Sequence, residues 1–146
     1  MYRRILVPLE NSAYDQCILA HVRQLARLCD ASLVLIHVAD GFAARHLRSL
    51  ALRESEEMLR DRAYLDSCSA ALRADGFDAE SVLAGGDPAT EIVAAADREA
   101  CDLIAMAVHG HRGLQDVLYG NTANDVRHRS LVPVLMVRDR QLPVAR

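Results

Sequence analysis

The sequence predicts an α/β fold: a single three-layer domain, a five-stranded parallel sheet with helices on both faces. Three observations carry this. Five short apolar runs of the buried-strand type recur along the chain. Stretches with helical spacing alternate with them. No linker, internal repeat or shift of composition divides the chain, so residues 1–146 are read as one domain, with 138–146 as a loose tail. Alternating strands and helices of this kind close into a parallel sheet with right-handed crossovers.

The elements follow in order. Arg3–Leu9 (RRILVPL) is an apolar run interrupted by a proline, suited to a buried strand. Ser12 with Asp15 three residues on reads as a helix N-cap with an acidic first turn. Ile18, Val22, Leu25, Ala26 and Cys29 then recur at helical spacing. Ala31–Asp40 (ASLVLIHVAD) is a second buried strand, and Gly41–Leu52 is less regular, a loop or frayed helix. Glu54–Ala74 reads as a long amphipathic helix. Its Arg53/Glu57 and Glu56/Arg60 pairs, four apart, mark a solvated face.

Asp78–Gly86 is a third strand. Asp87-Pro88 starts the next helix, with Asp as cap and Pro in the first turn, where no amide donor is needed. Cys101–Val108 is a fourth strand. A glycine-containing loop follows, then a helix over Asn121–Arg129 and a fifth strand over Val132–Arg138.

Composition excludes several classes. A formal charge of −3 makes nucleic acid a poor default partner. No apolar run is long enough to span a membrane, and the opening MYRRILVPLE is too short in its apolar part for a signal peptide. Cys17, Cys29, Cys68 and Cys101 are widely spaced without a CxxC, as reduced thiols of a cytoplasmic protein would be. The chain contains no lysine, which excludes a Walker A loop. His109 and His111 form an H-x-H pair, but no spacing supplies a third ligand, so no metal site is expected. His37, ending the second strand, reads as a satisfied core or edge histidine.

In open parallel sheets, ligands bind beyond the carboxyl ends of the strands, near the point where strand order reverses. Three loops fall there: Pro8–Ser12, Val38–Gly41 and Ala107–Thr122. In the last, Gly110 and Gly120 are separated by nine residues, and Asn121 and Thr122 would open the next helix. Free amides at a helix N-terminus bind anions. The same residues also suit a plain turn and an ordinary cap. Arg112 has the chemistry to reach a phosphate, and equally that of a solvated loop arginine.

The segments ILVPLENS, LIHV, GGDPATEIV, DLIAMAVHGHRGL, GNTANDV and VPVLMVR occur here in that order. Together they resemble the universal stress protein family, over Arg3 to Arg138. One branch of that family binds ATP and carries glycine, two residues, glycine, nine residues, then glycine followed by Ser or Thr. This chain departs from the pattern at Ala107 and Asn121, and carries Glu10 where the family usually has Asp.

The resemblance implies a nucleotide site at Pro8, Leu9, Glu10, Val38, Met106, Ala107, Gly110, Gly120, Asn121 and Thr122. ATP is the implied cofactor, with Mg2+ only if carried with the nucleotide. The implied function is a cytoplasmic stress-response protein that binds ATP or a related adenine nucleotide as a sensor, with no catalytic residue assigned. The alternatives are a nucleotide-free structural dimer acting through an unknown protein partner, or a slow ATPase. The implied strand order places the fifth strand at a sheet edge. An apolar edge invites pairing, so a homodimer through Val134, Leu135, Met136 and Val137 is expected.

Overall fold

The computed structural model describes residues 1–40, 51–108 and 114–139, with side chains described for 1–39, 56–108 and 121–139. Its elements are β1 (Arg4–Pro8), α1 (Tyr14–Cys29), β2 (Ser32–Asp40), α2 (Ala51–Ala74), β3 (Ala79–Gly86), α3 (Pro88–Arg98), β4 (Leu103–Val108), α4 (Leu114–Arg129) and β5 (Val134–Arg138). The five strands form one sheet in the order β3-β2-β1-β4-β5. Every pairing is parallel: Arg4 lies opposite Ser32, Leu33 opposite Ala79, Ile5 opposite Leu103 and Ile104 opposite Val134.

Strand side chains alternate between two apolar layers, as the pleat requires. Ile5, Val7, Leu33, Leu35, Leu103 and Ala105 pack on one face with Ile18, Leu19 and Val22 of α1 and Leu65 and Leu72 of α2. Leu6, Val34, Ile36, Ile104 and Met106 pack on the other with Ile92, Ala95 and Ala96 of α3 and Ala123 and Val126 of α4. This is the expected three-layer architecture. The central position of β1 explains its unbroken apolar core: Ile5, Leu6 and Val7 are fully buried, each contributing about 2 kcal/mol of burial.

Two helix starts differ from expectation. Ser12 caps α1 only in part: its hydroxyl accepts the Tyr14 amide at 3.3 Å, while Ala13, which directly precedes the helix, makes no side-chain cap bond. Asp15 instead reaches back, its carboxylate accepting the amides of Glu10, Asn11 and Ser12 at 2.9, 2.9 and 3.3 Å. Asn11, in the left-handed region at φ 59°, turns the chain so that these amides converge. The second difference is α4, which begins at Leu114 and not at Asn121. Leu114–Tyr119 holds no proline or glycine, and the one glycine after it, Gly120, costs a helix only about 1 kcal/mol. Gly120, Asn121 and Thr122 therefore lie inside the helix and not at its N-terminus.

The expected start of α3 is present: Asp87 caps it, accepting from the Thr90 amide at 3.0 Å and the Thr90 hydroxyl at 2.6 Å. Gly86 just before it has φ 133°, where a side chain is strained. Residues 41–50, 109–113 and 140–146 lie outside the described residues. They include part of the irregular segment, His109, Gly110, His111, Arg112 and most of the tail.

Candidate functional site

Strand order reverses at β1. From there the chain builds outward through β2 to β3, then crosses back to β4 on the other side. A pocket opens at the carboxyl ends of β1, β2 and β4, where such a sheet has its ligand crevice. It is lined by Pro8, Leu9, Glu10, Ile36, His37, Val38, Met106 and Ala107, closed by Pro88 and Ile92 of α3 and Thr122 of α4. Counting its open mouth, the empty space among these residues is about 590 Å³. Apolar walls with a few polar groups suit a flat heterocycle carrying hydrogen-bonding substituents.

Seven of the expected site residues meet here: Pro8, Leu9, Glu10, Val38, Met106, Ala107 and Thr122. Asn121 is exposed and does not line the pocket. Gly120 is in α4, and Gly110 lies outside the described residues. Four lining residues escaped the sequence reading: Ile36, His37, Pro88 and Ile92. Pro88 follows β3, so the carboxyl-end rule applied to every strand would have found it. Ile36 and His37 precede Val38 at the end of β2 and were readable only as core.

His37 is satisfied, as its position in a strand suggested, but it also lines the pocket. Its Nδ1 donates to the Leu9 carbonyl at 2.8 Å, and its Nε2 lies 3.3 Å from Oδ2 of Asp61 on α2. With Nδ1 on that carbonyl and Nε2 facing the Asp61 carboxylate, the ring is fixed against the β1–α1 loop. The Leu9 amide donates to the Ile36 carbonyl at 2.8 Å, which carries the β1–β2 pairing one residue past Pro8. Asn11 Nδ2 donates to the buried Asp61 at 3.4 Å.

On the other side of the loop, Asp15 is 1% exposed and accepts, besides the backbone amides, the Tyr64 hydroxyl at 2.5 Å. Burial first, and then the neighbouring Asp15 carboxylate, push the Tyr64 phenol far above its ordinary range. Ser12 donates to Glu10 Oε2 at 3.3 Å. The β1–α1 loop is consequently fixed from both flanks.

At α3, the Asp87 carboxyl is held below the usual carboxylate range by the Thr90 hydroxyl, the Thr90 amide and then Arg129. That carboxylate already occupies the helix N-terminus, where an anion would otherwise sit. Among the described residues, no group of three or more His, Cys, Asp or Glu side chains is placed to hold a metal, and no helix is long and apolar enough to cross a membrane.

Comparison with known proteins agrees with this geometry. A family model described as the universal stress protein family matches residues 1–138. Universal stress protein MJ0577 of Methanocaldococcus jannaschii is 29% identical, with 94% of this chain and 96% of that protein covered. Its solved structure superposes with a TM-score of 0.81 at 26% identity, over 97% of this chain and 99% of that one. Two of the structures that share the fold at a TM-score of 0.69 are nucleotide complexes. One is a universal stress protein in complex with cAMP, at 22% identity over 94% of this chain and 97% of that one. The other is the Archaeoglobus fulgidus protein in complex with dAMP, at 21% identity over 92% and 97%.

Proposed function

The chain belongs to the universal stress protein family, and from that premise we propose that it binds ATP or a related adenine nucleotide as a cytoplasmic stress sensor. The observation that carries the reading is the pocket at the strand-order reversal. Its apolar walls, Val38, Ile92 and Met106 among them, suit the adenine ring. Glu10, a hydrogen-bond acceptor on a fixed loop, suits the donors of a nucleoside. Relatives solved with cAMP and dAMP support the same ligand class. Any Mg2+ would arrive with the nucleotide's phosphates. The sensor reading assigns no catalytic residue. One carboxylate, Glu10, does not define a hydrolase.

One observation favours a second reading, a nucleotide-free structural protein acting through a protein partner. Gly120, Asn121 and Thr122 lie within α4, where backbone amides bond helix carbonyls and are not free for phosphate. Ala107 adds a methyl beside the pocket, and that methyl also packs against the layer of α1. Mass spectrometry of protein purified without added nucleotide separates the two. A retained adenine nucleotide supports the sensor. Empty protein that also ignores added ATP, ADP, AMP and cAMP supports the structural reading.

In either reading we propose a homodimer through β5. Among the described residues this strand pairs with β4 alone, at the sheet edge, and its Val134, Leu135, Met136 and Val137 are only half-buried in one chain. A second copy about a two-fold axis would cover them.

A further inference from the structure

One peptide group at the pocket is held at both ends. The Leu9 carbonyl accepts from His37 Nδ1 at 2.8 Å, and the amide of the next residue, Glu10, donates to Asp15 Oδ1 at 2.9 Å. These atoms belong to the same Leu9–Glu10 peptide unit, so the two bonds fix the rotation of its plane. Each holder is itself held from α2. Asp61 meets His37 Nε2 at 3.3 Å, and Tyr64 donates to Asp15 at 2.5 Å. Asp61 and Tyr64 are three residues apart, on one face of the helix. Neither lines the pocket, whereas Leu9, Glu10 and His37 do.

We infer that Asp61 and Tyr64 are positioning residues for this pocket: through His37 and Asp15 they set the Leu9–Glu10 peptide, and with it the Glu10 carboxylate that meets the ligand. The inference rests on the nucleotide reading above and adds a means of control. Anything that shifts α2 against the sheet changes how Glu10 is presented, and a ligand that engages Glu10 acts back on α2 with equal strength.

The test separates positioning from plain stability. Asparagine places an amide nitrogen where histidine has Nδ1, so His37→Asn keeps a donor toward Leu9. Glutamine reaches toward Asp61 and loses that donor. Titration with ATP and with AMP is expected to show His37→Gln weakened about tenfold, as for one lost hydrogen bond. His37→Asn should recover most of that loss. Tyr64→Phe, which removes one buried oxygen and preserves the packing, should weaken binding by about threefold.

In a Glu10→Ala background, the losses from His37→Gln and Tyr64→Phe should vanish, because the group they position is gone. Wild-type protein that binds while both variants keep its affinity would overturn the inference. So would losses that persist in full without Glu10. Wild-type protein that takes up neither nucleotide would overturn the nucleotide reading and this inference together.

Discussion

The Tyr64 hydroxyl donates to an Asp15 carboxylate that also accepts three backbone amides of the β1–α1 loop. A residue of α2 is thereby tied to the loop that leads into α1, across 49 positions of sequence. Asp15→Ala would leave those amides without that acceptor in a part-buried loop, at a cost of about 2 kcal/mol. Tyr64→Phe should cost about 1–2 kcal/mol. Ser12→Ala should cost about 0.5–1 kcal/mol, since it removes only the acceptor of the Tyr14 amide. Urea denaturation of the three variants gives the ranking. A Ser12 effect equal to that of Asp15 would show that the carboxylate is not what holds the loop.

Tyr64 also has a pH signature. Its folded-state phenol lies above its unfolded value, so its contribution is present below the ordinary tyrosine range and is lost as pH rises through the folded value. Titrating the phenolate absorbance should show one tyrosine that resists ionisation until the protein unfolds in alkali. That component should be missing from Tyr64→Phe.

The Asp87 cap behaves in the opposite sense. Its carboxyl is depressed, so its stabilisation is present above the ordinary aspartate range and is lost as pH falls through the folded value. Asp87→Ala should lower stability by about 1 kcal/mol at neutral pH. The gap between variant and wild type should close in acid, read as the difference in melting temperature across pH. A gap that stays constant into strong acid would show that the carboxylate is not what caps α3.

Light scattering at micromolar concentration should give about twice the 16.1 kDa chain mass. Met136→Asp places a charge at the β5 seam and should shift the protein toward monomer. A monomeric wild type would reject the β5 pairing, and so would a Met136→Asp dimer as tight as the wild type.

Much of this was legible in the sequence because it rests on period and on backbone chemistry. The apolar runs around Ile5, Leu33 and Ile104 gave their strands. Asp87-Pro88 gave the start of α3, since cap and proline act locally. The pocket's Pro8, Val38, Met106 and Thr122 came from their places at strand ends and from the family resemblance. What the sequence hid is non-local. Asp15 looks like a first-turn acid until Asn11 turns three amides onto it. His37 looks like a core residue until Asp61, 24 positions on, faces its second nitrogen. The start of α4 is hidden because Gly120 reads as a helix boundary, whereas Leu114–Tyr119 carries the helix through it.

The central claim is that the pocket takes an adenine nucleotide, and calorimetric titration of the wild-type chain with ATP, ADP, AMP and cAMP tests it most directly. At least one should give saturable heat with one site per chain and a dissociation constant of about 1–100 µM. Val38→Trp, which fills the space beside Ile92 and Met106, should abolish that heat while the chain stays folded. No heat and no thermal shift at millimolar nucleotide, or binding undiminished in Val38→Trp, would contradict the claim.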